Sequence, residues 1–160
     1  MTSGVLGRRA FLVIGAGLAL AGCASSYADV ASLPVIRAVR VSGGGNLWLQ
    51  TMPPFVQRNL IKQLGPRYQP GARGGATLSV QLTDIDFPTD SDAGIISFSS
   101  VDTLDGRITL VSSSGAVLKS FPLLASTSSV DAAAEVPMPT PRRYDWLASS
   151  YAHWLLSQLA

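Results

Sequence analysis

The feature that most constrains this 160-residue chain is an apolar N-terminal segment that ends at its only cysteine, Cys23. Arg8 and Arg9 precede this segment, and residues 10–21 carry no charged side chain. About a dozen apolar residues are too few to cross a bilayer comfortably, and a basic start before such a segment is typical of an export signal. We therefore predict that residues 1–22 are removed and that the domain folds without an internal disulfide.

The residues that lead into the cysteine are small and apolar, in the order Leu20-Ala21-Gly22-Cys23. This string resembles the lipobox of bacterial lipoproteins. The resemblance implies that a diacylglyceryl group is attached to the Cys23 sulfur and that a peptidase cleaves the chain before this residue. Residues 23–33 are then a lipidated tether, and residues 34–160 form a single periplasmic domain. A plain secretory signal followed by a chance cysteine is the alternative.

The residues before the apolar segment also resemble the twin-arginine export motif, in which two arginines are followed by any residue and then Phe-Leu. Here the matching residues are Arg8, Arg9, Phe11 and Leu12. The pattern departs from the motif at Val13, where a lysine is common. Export through the general secretory route and export through the twin-arginine route therefore both stay open.

The mature sequence has no net charge, because the formal charge of +2 comes from the two arginines of the signal. Balanced charge gives no electrostatic ground for binding nucleic acid, and we predict none. The pair Arg142-Arg143 is interpreted as the solvated face of a helix. No further segment of about 18 apolar residues occurs, so we expect the lipid on Cys23 to be the only membrane attachment.

Apolar periodicity predicts two helices and several strands. The first helix is predicted over residues 53–64, with Thr51 as its N-cap and Gly65 at its end. The second is predicted over residues 142–159. Its apolar stripe comprises Tyr144, Leu147, Tyr151, Trp154, Leu155 and Leu159. The predicted strands cover residues 35–41, 76–87, 95–104, 107–111 and 116–124.

Local signals refine these strands. A change of apolar parity predicts a bulge near Thr83-Asp84, and Asp105-Gly106 is typical of a two-residue hairpin. Pro122 marks the last strand as an edge or ends it, and residues 125–141 are expected to be an irregular connection. The order β-α-β-β-β-α predicts an α+β fold, with two helices on one face of an antiparallel sheet of about four strands.

The mature chain holds few residues suited to catalysis. His153 is its only histidine, and no serine stands in a Gly-x-Ser-x-Gly string. An acidic cluster of Asp84, Asp86, Asp90 and Asp92 lacks the spacing of a calcium loop and is interpreted as a solvated loop. We therefore predict no catalytic residue, no metal and no cofactor. A membrane-tethered secreted hydrolase that uses His153 is the alternative.

The three tryptophans are candidates for a contact surface or for the core. Trp146 and Trp154 lie about two turns apart on the predicted last helix, so we expect at least one of them in the core. Leu47-Trp48-Leu49 follows a glycine-rich loop and is the candidate for exposed contact with a partner or a lipid.

The layout as a whole is similar to small lipoproteins of the Gram-negative envelope. A strand leads into a Leu- and Arg-containing helix over residues 55–64, and strands and a terminal helix follow. This order resembles the lipopolysaccharide-assembly lipoproteins and the auxiliary lipoproteins of ABC-type lipid transporters. The resemblance implies a non-catalytic component that binds a protein or lipid partner. Because Ala24 and Ser25 follow the cysteine where inner-membrane retention often needs Asp, we expect the outer membrane, facing the periplasm.

Overall fold

The computed structural model describes residues 33–88, 101–128 and 139–160. Arg8, Arg9, Phe11, Leu12 and Cys23 lie outside these ranges. A 3-10 turn, Gly65–Arg67, follows the second of three helices. Along the chain the elements are β1 (Ile36–Gly43), α1 (Leu47–Thr51), α2 (Pro53–Leu64), β2 (Ala76–Asp86), β3 (Val101–Val111), β4 (Val117–Ser128) and α3 (Pro141–Leu159). The predicted α+β class is confirmed.

The four strands form one sheet in the order β1-β2-β3-β4. β2, β3 and β4 are antiparallel neighbours, as predicted, whereas β1 and β2 are parallel. The sheet is therefore mixed rather than wholly antiparallel. The reason is the connection between β1 and β2: α1 and α2 form a crossover on one face of the sheet, and a helical crossover joins parallel strands.

The predicted strands 95–104 and 107–111 are not separated by a turn, because β3 runs without interruption through Asp105 and Gly106. Residues 95–100 lie outside the described ranges. Gly106 is needed for packing: a Cβ atom there would lie 2.5 Å from the hydroxyl oxygen of Tyr151 on α3. The turn into β4 covers residues 112–115, which separate the predicted strands 107–111 and 116–124, and β4 begins one residue later than predicted, at Val117. The Ser112 N–H donates to the Ala116 carbonyl oxygen at 2.8 Å.

Two strand details predicted from the sequence are confirmed. The register between β2 and β3 shifts between Leu82 and Asp84, and this bulge returns Ile85 to the helix-covered face. β4 is an edge strand, with Pro122 near its middle opposite Arg107. β4 continues to Ser128. The first residues of the expected irregular connection are therefore strand, and residues 129–138 lie outside the described ranges.

The helices cover one face of the sheet, α2 over β1 and α3 over β3 and β4. α2 and α3 run in the same direction, because Asn59 bonds to Asp145 and Gln63, one turn later, bonds to Ser149. Thr51 is not the N-cap of α2: it ends α1, and its hydroxyl donates to the Leu47 carbonyl oxygen at 2.8 Å. At the other end of α2, Gly65 has a φ of 52° and stops the helix, as predicted.

Candidate partner-binding surface on helix α3

Helix α3 begins at a capped turn. The Thr140 hydroxyl oxygen accepts a hydrogen bond from the Arg143 N–H at 3.3 Å, and Pro141 stands in the first turn, where no N–H is needed. The helix then buries one face against the sheet and α2. The buried residues are Arg143, Tyr144, Leu147, Ala148, Tyr151, Ala152, Leu155, Leu156 and Leu159. The opposite face is exposed to solvent.

A buried ion pair fixes the start of α3 on the sheet. Arg143 Nη2 lies 2.5 Å from Asp102 Oδ1, and Arg143 Nε lies 2.9 Å from Asp102 Oδ2, so the contact is bidentate. The side chains are only 8% and 1% exposed. Arg143 also donates to the Pro88 carbonyl oxygen at 2.9 Å. The interpretation of Arg142-Arg143 as a solvated face is therefore wrong for Arg143, while Arg142 is exposed.

Further along the buried face, the Tyr151 ring packs beneath β3. Its hydroxyl is buried and has no hydrogen-bond partner among the described residues. Burial raises the pKa of this phenol, and the charge of Asp105 raises it further. The phenol is therefore neutral, and it lies close to the backbone of Gly106. Because Gly106 has no Cβ atom, α3 can approach β3 closely at this point.

The exposed face of α3 carries both tryptophans of the helix. Trp146 is 54% exposed and Trp154 is 51% exposed, so the expectation that at least one lies in the core is wrong. The predicted apolar stripe holds for the other five of its residues, which are buried. Trp154 differs because it lies one residue before the buried pair Leu155 and Leu156, a rotation of about 100° away from Leu155 toward solvent.

The two tryptophans border an open groove of about 300 Å³ on the exposed face of α3, with Gln63 of α2 at its side. Its lining residues are Gln63, Trp146, Ser149, Ser150, His153 and Trp154. The Trp146 indole N–H donates to the Thr127 hydroxyl on β4 at 2.7 Å, and Gln63 donates to the Ser149 carbonyl oxygen at 3.1 Å. The first bond ties Trp146, one wall of the groove, to β4. The second bond ties α2 to α3. The groove therefore presents aromatic surface beside polar side chains.

His153 lies in this groove as an exposed helix residue, with its ring edge-on to Trp154 at a centroid distance of 5.9 Å. Asp84 and Asp86 of the acidic cluster are exposed on β2, and Asp90 and Asp92 lie outside the described residues. Within the described ranges, no group of three or more His, Cys, Asp or Glu side chains could hold a metal ion.

The Leu47-Trp48-Leu49 segment is not a loop but the start of α1. The Asn46 side-chain oxygen caps this helix by accepting a hydrogen bond from the Leu49 N–H at 2.8 Å. Leu49 is buried, and Trp48 is half-buried with its ring edge-on to Phe87 at 5.7 Å. Leu47 alone of the three is largely exposed. The sequence signal that predicts this helix is Asn46 directly before the apolar residues.

Between residues 33 and 160, excluding the gaps at 89–100 and 129–138, no helix has the length and apolar character required to cross a membrane.

No family model matches the chain. No curated protein matches its sequence. Among solved structures, it is similar to a candidate lipoprotein from Caulobacter crescentus (11% identity, TM-score 0.46, covering 76% of this chain and 86% of that chain). It is also similar to the PelC dodecamer from Paraburkholderia phytofirmans (15%, 0.47, 78% and 86%). A third is the lipoprotein GNA1162 from Neisseria meningitidis (15%, 0.31, 76% and 98%). These values mark distant similarity, from which no function follows.

Proposed function

We propose that the chain is a lipid-anchored lipoprotein of the bacterial envelope, with a non-catalytic domain that binds a protein or lipid partner. The anchor is supported by the lipobox-like string that ends at Cys23, the only cysteine. The role we propose is in outer-membrane assembly or in the transport of lipid or lipopolysaccharide, and it follows from the similarity of layout to the lipoproteins that serve these processes.

The observation that carries the binding role is the pair of half-exposed tryptophans on α3. Tryptophan is enriched at the energetic centres of protein interfaces, since its large ring buries much apolar surface and its N–H bonds to a polar group. The Trp146 indole is already held by Thr127, so this wall of the groove loses little side-chain entropy on binding. Ser150 and His153 supply polar groups beside the aromatic surface. The favoured occupant is an apolar side chain of a partner protein.

The binding role is tested by site-specific photo-crosslinking in cells. A photoreactive residue at Ser150, within the groove, is compared with one at Ser120 on the exposed surface of β4. We expect a defined protein adduct from position 150 and none from position 120. Trp154→Ala should reduce the adduct at least fivefold, while Leu118→Ala, which removes an exposed apolar side chain of β4, should leave it unchanged. Adducts of equal yield from both positions would contradict the proposal.

The lipid anchor is tested separately by membrane fractionation and by incorporation of labelled fatty acid. Wild-type protein should stay with the membranes and carry the label. Cys23→Ser should leave the protein soluble or uncleaved and unlabelled, because a diacylglyceryl group plus an N-acyl chain anchors almost permanently at about 0.8 kcal/mol per buried CH₂. Equal membrane retention of both proteins would exclude the anchor.

The proposed address is the inner leaflet of the outer membrane, with the domain in the periplasm. It rests on Ala24 and Ser25 directly after the lipidated cysteine. Density-gradient separation should place the protein with outer-membrane markers. Co-migration with inner-membrane markers would exclude this address without affecting the anchor.

A non-catalytic domain is likewise a proposal, and His153 is the residue that tests it. Purified mature protein should show no turnover of ester, amide or phosphate substrates above the rate of a His153→Ala control. Reproducible turnover that His153→Ala abolishes would favour the hydrolase instead.

A further inference from the structure

The described carboxylates lie at one end of the sheet only, whereas arginines lie at both ends. Where the chain enters β1, Arg37 and Arg40 lie on β1 itself, Arg67 ends the 3-10 turn, and Arg73 is exposed on the loop before β2. The Gly71 N–H donates to the Arg37 carbonyl oxygen at 3.4 Å and ties this loop to β1. We call these four arginines the basic end.

The carboxylates of the described ranges lie toward the opposite end of the sheet. They are Asp84, Asp86, Asp102, Asp105 and Asp145. Asp84 follows Ala76, the residue paired with the start of β1, by eight positions along β2, which is roughly 25 Å at the usual rise of a strand. Charges in solution are screened beyond about 8 Å at physiological salt. The distant carboxylates therefore leave the field of the basic end largely unchanged.

Lys119 on β4 lies at this same end of the sheet and adds a further cation, and its ammonium donates to the Gln158 carbonyl oxygen. The tether sequence carries one negative charge, at Asp29, against these four arginines. The basic end keeps a net positive charge although the mature sequence is neutral.

The lipid anchor is attached to this same end of the domain. Leu33, the first described residue, is buried in the core just before β1. Nine residues separate it from Cys23, and an extended chain of that length spans at most about 30 Å. If the proposed anchor holds, the basic end is therefore the part of the domain kept within reach of the bilayer.

We propose that the basic end rests on the anionic phospholipid headgroups of the membrane that holds the Cys23 lipid, an inference that depends on the proposed anchor. Each arginine close to an anionic surface strengthens the contact by about fivefold. The contact fixes the orientation of the domain. The start of α3, with Trp146 at that end of the groove, then faces away from the bilayer.

Hydrogen exchange of the lipidated protein in vesicles tests this orientation. One set of vesicles is phosphatidylcholine alone, and the other contains about one third phosphatidylglycerol. We expect the amides of residues 69–75 to exchange several times more slowly in the anionic vesicles, and the difference to vanish at about 0.5 M salt, where the screening length is shorter. Residues 141–150, at the far end, should exchange equally in both.

Variants sharpen the test. The double variant Arg37→Gln, Arg73→Gln should abolish the difference in amide exchange rate between the two sets of vesicles. Arg73→Gln alone, a change on an exposed loop, should halve that difference. The matched control, Arg107→Gln with Arg142→Gln, removes two exposed cations elsewhere and should keep the full difference. Equal exchange of residues 69–75 in both vesicles by wild-type protein that floats with them would overturn the membrane contact while leaving the anchor intact. Failure to float would overturn the anchor itself.

Discussion

The two faces of α3 hold the same kinds of residue in opposite environments. On the buried face Arg143 is paired with Asp102, with both side chains almost inaccessible, whereas on the exposed face Asp145 pairs with Arg58 at 2.7 Å with both more than half exposed. Aromatic residues divide in the same way: Tyr151 is fully buried, and Trp154 is half-exposed. The comparison shows that the buried polar groups of this helix fix its position on the sheet, while its outer aromatic groups stay exposed to solvent.

The largest effect is expected from breaking the buried ion pair. Arg143→Met leaves the Asp102 carboxylate buried without its bidentate partner, which costs about 3–5 kcal/mol of unfolding free energy. Asp102→Leu combined with Arg143→Met removes both charges and should recover most of that loss. Urea denaturation measures both. Arg142→Met, at the exposed neighbour, should change stability by less than about 0.5 kcal/mol. An equal loss in Arg142→Met and Arg143→Met would contradict a specific role of the buried Arg143.

The next largest effect concerns the contact between α3 and β3. Gly106→Ala places a methyl group 2.5 Å from the Tyr151 hydroxyl and 2.8 Å from the Gln81 carbonyl oxygen, and we expect a loss of about 1–3 kcal/mol. Tyr151→Phe removes a buried hydroxyl without a partner among the described residues, so it should stabilise by about 1 kcal/mol. Because the clash with Gln81 remains, the double variant should be rescued only in part. A strictly additive double-mutant cycle would show that the two sites do not touch.

A smaller difference is expected between tryptophans that face the core and tryptophans that face solvent. Trp48→Ala removes a half-buried ring that packs on Phe87 and should lower stability by about 1–2 kcal/mol. Trp154→Ala should lower it by less than about 0.5 kcal/mol and yet reduce crosslinking in the groove. Thermal melts of the two variants decide the point. If Trp154→Ala destabilises more than Trp48→Ala, the exposed face of α3 is structural.

The smallest effect belongs to the exposed ion pair. Hydrogen bonds from Arg58 and then Asn59 lower the pKa of Asp145 below its ordinary 3.8. A carboxylate with a lowered folded-state pKa stabilises the fold above its unfolded pKa and loses that contribution as the pH falls toward the folded value. Asp145→Asn should therefore cost at most about 0.5 kcal/mol at pH 7. The wild-type advantage should disappear as the pH falls below 3.8 through the lowered folded-state pKa. An advantage that grew in acid would contradict this prediction.

Local patterns in the sequence determined most of the secondary structure. The helix bounds at 53–64 and 141–159 lie within one residue of the prediction, since apolar periodicity, prolines in the first turn and Gly65 are all local signals. The bulge at Leu82–Asp84 and the turn at residues 112–115 were predictable for the same reason. The exception is Asp105-Gly106, whose turn-like composition reflects the approach of Tyr151, a contact that no local pattern contains.

The candidate site was less accessible to sequence reasoning. The sequence by itself determined that Trp146 and Trp154 share a helix and that His153 lies between them, and the lipid anchor at Cys23 stays a prediction from the sequence. Only the tertiary structure decided which tryptophans face solvent and that Arg143 is buried beside Asp102. The physical reason is that burial depends on which neighbour covers a helix face. That neighbour comes from strands far away in sequence. Helix periodicity therefore determines on which face of the helix a side chain lies, but not whether that face is buried.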